Sequence, residues 1–144
     1  MDNCCYNRPF DDQNQDRIHY ESEAVLSIIR QCERGEHILI GSSVLKMEIN
    51  EIYDSVRRNK VYELYSMVDE EIVYSDMIEE RAKLIRGQAN IRNMDSWHLI
   101  SAEFGKADVF ISTDDKLIKA SKNTDLKVKV VNPVVFLVEA MEDE

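Results

Sequence analysis

Between Ala107 and Val131, an apolar run (ADVFIS), a stretch opened by capping residues (TDDKLIKASK) and a second strand-like run (LKVKVV) follow in direct succession. Two strands joined through a helix pair in parallel, because the crossover must return to the start of the sheet. The segment therefore predicts a β-α-β unit. Lys127 and Lys129 alternate with Leu126, Val128 and Val130, and charge on one face of a terminal strand is a common way to blunt a sheet edge. The last strand is expected at an edge.

The same alternation runs through the rest of the chain. Residues 13–34 carry Ile18, Ser22, Val25, Ile29 and Cys32 at three- and four-residue spacing, with Gly35 as a stop, which predicts a long amphipathic helix. HILIGS at 37–42 reads as a strand, with Ser43 capping a helix through VLKMEINEIY, and Ser55 caps the next helix. EIVYS at 71–75 is another strand, and Asp76 to Arg86 a helix ended by Gly87. A helix from about Met94 to Phe104 is apolar on more than one face, so it should be largely buried, with Gly105 as its stop. Asn132 and Pro133 open a last helix, VVFLVEAM, before an acidic tail, EDE. Four strands separated by helices predict an α/β fold, a three-layer α/β/α sandwich around a parallel sheet. Such a fold begins with a central strand, yet only Met1 to Tyr6 precede the loop into the first helix. The opening strand is expected to be truncated to about four residues, or the native chain to start upstream of Met1.

A chain of 144 residues with 44% hydrophobic composition can bury one core, so a single domain over 1–144 is expected. Cys4, Cys5 and Cys32 are odd in number and lack the C-x-x-C spacing of a zinc or redox motif, which favours a reducing compartment. The first fifteen residues are polar and no apolar run approaches the ~20 residues of a bilayer span. Neither a signal peptide nor a membrane helix is read, and a cytoplasmic protein is expected. Twenty-eight acidic against 18 basic residues give a net charge of −10, which opposes passive binding to nucleic acid or an anionic membrane. A nuclease is not excluded, since divalent cations neutralise an acidic site.

In open parallel sheets, ligands bind beyond the carboxyl ends of the strands. Four acids fall there: Asp2 before the first helix, Glu48 just after HILIGS, Asp95 at the start of the buried helix, and Asp115 after ADVFIS. Clustered carboxylates repel one another and resist desolvation, so they persist by binding cations or by staying protonated. Magnesium or manganese suits such oxygen ligands and the hydrolysis of a phosphodiester.

The segments MDNCCYNRPFDD, SSVLKMEI, MDSWHLISAEFGKADVFISTDD and VKVVNPVVFL resemble, in order, those of a PIN domain, and together span essentially the whole chain. Asp95, His98, Leu99 and Ala102 form its D-x-x-H-L-x-A-A-like stretch. The resemblance implies a Rossmann-like sandwich and a metal-dependent endoribonuclease acting on single-stranded RNA, as in toxins of the VapC type, with an antitoxin or a homodimer as partners. It carries the four family acids onto Asp2, Glu48, Asp95 and Asp115, with Asp114 as the alternative one position away. Thr113 is similar to the small hydroxyl residue that positions water or phosphate, and Arg8 and Lys116 are the basic residues nearest the rim.

Each residue also has a plainer reading. Asp95, Asp114 and Asp115 are all acids at helix starts, where they compensate the helix dipole. Glu51 and Asp54 compete with Glu48. His98 reads as a satisfied core histidine and a poor magnesium ligand, and Arg57, Arg58 and Lys60, or Arg81, Lys83 and Arg86, as solvated helix faces. Asn7 to Asp12 either shapes a substrate entrance or simply leads into the first helix. Two other function classes remain: a catalytically silent PIN-like module that binds protein or RNA, and, ranked last, a phosphate-accepting signalling receiver, which lacks that family's lysine.

Overall fold

The computed structural model describes residues 1–142, so of the acidic tail only Glu142 is included and residues 143–144 lie outside the described residues. The chain runs through α1 (Asn3–Asn7), a 3₁₀ turn (Arg8–Phe10), α2 (Asp16–Glu33), β1 (Ile40–Ser42), α3 (Ser43–Asn50), α4 (Ser55–Tyr65) and β2 (Glu70–Ile72). It continues through α5 (Asp76–Gln88), α6 (Asn93–Phe104), β3 (Val109–Ile111), α7 (Asp115–Ser121), β4 (Lys129–Val131) and α8 (Pro133–Glu142). The fold is mixed α/β with parallel strands. The expected β-α-β unit is β3–α7–β4, with Val109 opposite Lys129 and Ile111 opposite Val131. β4 pairs with β3 alone and is the edge that its lysines suggest.

The strands do not make one sheet. β1 pairs with β2 and β3 with β4, leaving two two-stranded sheets. Among the described residues, no strand forms over Met1 to Tyr6. The link of this segment to the β3 strand is the bond from Asp2 N–H to the Ile111 carbonyl at 2.8 Å. The chain then turns into α1, because the Asp2 carboxylate accepts from Asn3 N–H and caps a helix at once.

Apolar burial follows the two-residue period of a strand. Phe110 and Val130 enter a cluster with Ile78, Ile85 and Leu99 of α5 and α6. Their neighbours Ile111 and Val131 enter another with Val25, Ile28 and Ile29 of α2. A third cluster joins Tyr6 of α1 to Leu45 and Ile49 of α3 and Val61 and Tyr65 of α4.

Several boundaries differ from the sequence reading. Each strand has three residues, shorter than the run read from the sequence, and β2 lies at Glu70–Ile72 rather than over 71–75. Past the start of β1, Leu39 N–H donates to the Asp69 carboxylate while Asp69 N–H donates to the Leu39 carbonyl, both at 2.8 Å. The caps of α3 and α4 are Ser42 and Asp54, one position before the expected Ser43 and Ser55. α5 runs through Gly87 to Gln88. Gly41 is required by close packing, since a Cβ there would lie 2.6 Å from the Tyr65 hydroxyl oxygen.

Candidate metal cleft

Asp2 reaches the carboxyl end of β3 because its own N–H is bound to Ile111. Its Oδ1 accepts from Asn3 N–H and its Oδ2 from the Ser112 hydroxyl, both at 2.8 Å, and the residue is 7% exposed. Glu48 lies in the second turn of α3, which follows β1 without a loop. Its Oε1 is 3.2 Å from Nε2 of His98, a buried residue of α6. Asp2, Glu48 and His98 thus offer three ligand atoms within 4.8 Å of one another.

Asp95 joins Asp2 and Glu48 in lining an open cleft of about 360 Å³. It sits in the first turn of α6 and accepts from Arg92 Nε at 3.1 Å. Burial, and then the negative charge of Asp2, raise its carboxyl above the ordinary value of 3.8 despite Arg92. Burial is the larger cause, so the shift marks a desolvated carboxyl beside a like charge.

Asp114 also lines the cleft, as does Asp11, whose oxygens are paired with Arg8 and Arg57. Oδ1 of Asp114 caps α7, accepting from the N–H groups of Lys116 and Leu117, and its own N–H donates to Ser112 Oγ at 3.1 Å. Ser112 therefore ties Asp2 to Asp114. The structure does not bring Asp115 to the cleft. Arg17 grips both oxygens of Asp115 at 2.7 and 2.8 Å on the exposed side of α7 and holds its carboxyl below the usual range. Between the two positions open in the sequence, the geometry gathers Asp114.

Among the basic residues, Arg8 does line the cleft, fixed to Glu21 at 2.9 Å and Asp11 at 3.1 Å. Lys116 is exposed and Thr113 buried, and neither is part of the cleft wall. Two further arginines are part of it, Arg57, which the sequence left between a phosphate contact and a solvated face, and Arg92, which it did not single out. Arg57, anchored by Asp11 and the Phe10 carbonyl, stands on one side, and Arg92 beside Asp95. Arg57 was hidden in a charged run that resembles a solvated face, and only tertiary packing distinguishes it from Arg58. His98 was visible as the residue one turn beyond Asp95, but its burial favoured a core role.

Comparisons with protein-family models, with curated proteins and with solved structures return no match. Among the described residues, no helix is long and apolar enough to cross a membrane.

Proposed function

We propose that this chain is a PIN-like, metal-dependent endoribonuclease whose acids are Asp2, Glu48, Asp95 and Asp114. The reading rests on one observation: Asp2, Glu48, Asp95 and Asp114, from four separate parts of the chain, line a single cleft together with Asp11. The carboxylate oxygens are hard ligands that fit magnesium or manganese, and Asp95 is a desolvated carboxyl, raised by burial first and by the charge of Asp2 second. Asp2 and Glu48, whose oxygens lie close together beside His98, would hold the ion, with Asp95 and Asp114 on the acidic rim. When bound, the ion would supply a lowered pKa for attacking water and charge neutralisation at the phosphate.

The chain's own groups have separable tasks in this reading. Ser112 orients Asp2 and leaves it acceptor-only toward the cleft. His98 holds Glu48 in place. Arg8, Arg57 and Arg92, each paired with a carboxylate, are the cleft's basic groups and the ones that would meet RNA phosphates once an ion occupies the acids. The two half-sheets with helices on their faces are read as one three-layer sandwich that is split in the middle. The unpaired cysteines fit a cytoplasmic setting, and an antitoxin or a second copy remains a proposed partner.

One observation favours a catalytically silent binding module instead: both oxygens of Asp2 are already hydrogen-bonded and Asp95 is paired with Arg92. Manganese separates the two. For the nuclease, Mn²⁺ raises the Tm and single-stranded RNA is cut. Asp114→Asn is expected to weaken metal affinity by roughly 10- to 100-fold and to abolish cleavage, while Asp115→Asn keeps both. Neither metal binding nor cleavage by the parent chain would establish the silent module.

A further inference from the structure

The turn from Asn7 to Asp12 takes no part in the acidic site, yet it is heavily braced. Gln13 Nε2 donates to the Arg8 and Asp11 carbonyls, both at 2.9 Å, Asp11 N–H donates to the Arg8 carbonyl at 3.1 Å, and Arg57 Nη2 to the Phe10 carbonyl at 2.6 Å. Asp11 sits at the centre of this bracing, with Oδ2 accepting from Arg8 Nη1 at 3.1 Å and Oδ1 from Arg57 Nη1 at 2.8 Å. One carboxylate thus holds two guanidinium groups in the wall of the cleft. Lys60 adds a further cation nearby, its Nζ 5.8 Å from the centroid of the Phe10 ring.

A run of hydrogen bonds joins the turn to the acids. Asp2 Oδ1 accepts from Asn3 N–H at 2.8 Å, Asn3 Oδ1 from Asn7 Nδ2 at 3.0 Å, and Asn7 Oδ1 from Arg57 Nη1 at 3.3 Å. The side-chain oxygens of Asn3, Asn7 and Asp11 are therefore all engaged, and the groups left over are donors. Among the described residues, Asn3 Nδ2, Arg8 Nη2 and Arg57 Nε have no hydrogen-bond partner, and none of the three is shut away from solvent. Free donors beside occupied acceptors select an acceptor-rich, anionic group. A base edge, which mixes donors with acceptors, is matched less well.

We propose that Arg8 and Arg57, held by Asp11, form a second phosphate subsite of the cleft, which binds the phosphodiester next to the one at the ion. The inference rests on the nuclease reading for the place of that neighbour along the strand. Both guanidiniums are fixed by protein contacts before RNA arrives, so little side-chain freedom is lost on binding. Phosphate contacts carry no base information but set register. The subsite determines which phosphodiester of the strand reaches the acids.

The test is the binding of a fluorescein-labelled single-stranded RNA dodecamer of mixed sequence, followed by anisotropy with Ca²⁺ over a range of KCl concentrations. Arg57→Gln is expected to weaken binding about tenfold and to lower the salt slope by about 0.7, the share of one phosphate on a single strand. Arg57→Lys, which keeps the charge and loses the fork, keeps the slope while affinity falls. Arg58→Gln, at a neighbour outside the cleft wall, changes neither. A folded Arg57→Gln protein with the parent's slope overturns the subsite, and so does a parent chain that binds no RNA. If Arg57→Gln does not fold, neutral methylphosphonates placed singly along the RNA decide the question on the parent chain: two adjacent positions that each weaken binding support the subsite, and one or none overturns it. Cleavage with Mn²⁺ is scored separately. Cleavage by the parent with an unchanged slope in Arg57→Gln removes the subsite alone, and a lowered slope with no cleavage by the parent removes the nuclease alone.

Discussion

Asp114 and Asp115 are adjacent, yet one caps α7 from within the cleft and the other is clamped by Arg17 on its outside. Both lie at a helix start after an apolar strand, so sequence pattern cannot separate them. What separates them is an arginine 98 residues away. Asp95 permits a sharper expectation. Its folded pKa is raised above 3.8, so the folded state holds this proton more tightly than the unfolded chain does. Stability from this group is therefore greatest below the ordinary carboxylate value and falls as pH rises through the raised one. Asp95→Asn removes that loss, and its bond to the mostly exposed Arg92 side chain offsets little. Urea unfolding across acidic to neutral pH should find the variant more stable than the parent near pH 7 without metal, with the gap closing in acid. A variant less stable at neutral pH would count against strain in the cleft.

Among the elements, helices were easier to read than strands. Ser22, Val25, Ile29 and Cys32 are all buried on α2, as their spacing indicates, since an eighteen-residue helix averages its signal over several turns. A three-residue strand cannot, and apolar residues that flank it extend the apparent run. Ile38 illustrates the error: it is 73% exposed although it sits inside HILIGS. Caps slipped by one position where two capping residues were adjacent, as at Ser42–Ser43 and Asp54–Ser55. α1 was missed because five residues carry no period at all. At β1, the tight constraint is the Tyr65 ring over Gly41. Gly41→Ala should cost about 1–3 kcal/mol through overpacking, measured by denaturant titration. A neutral substitution would mean that the ring is free to move.

The molecule as a whole is held near the cleft by a buried acid. Glu21, 1% exposed on α2, binds Arg8 at 2.9 Å, Arg17 at 3.2 Å and the Asn132 side chain at 2.6 Å, so it links the amino-terminal turn to the segment after β4. Arg8 and Arg17 keep their second partners, Asp11 and Asp115, so the loss falls mainly on the buried contacts of Glu21 itself. Glu21→Ala is expected to cost about 1–3 kcal/mol, read as a lower urea midpoint. Unchanged stability would show that solvent readily replaces the carboxylate. The alternation of strands and helices was legible across the chain, whereas the split between the half-sheets was not, because pairing partners depend on a central strand that local pattern cannot supply. The company that His98 keeps has a further consequence. With Glu48 and Asp2 it sets an imidazole nitrogen among hard oxygens, and Cys4 adds a sulfur to the cleft wall. Such a mixed donor set ranks zinc above manganese on affinity alone. If the cleft holds a hard cation as proposed, its identity would be set by supply, with trace zinc as a competitor.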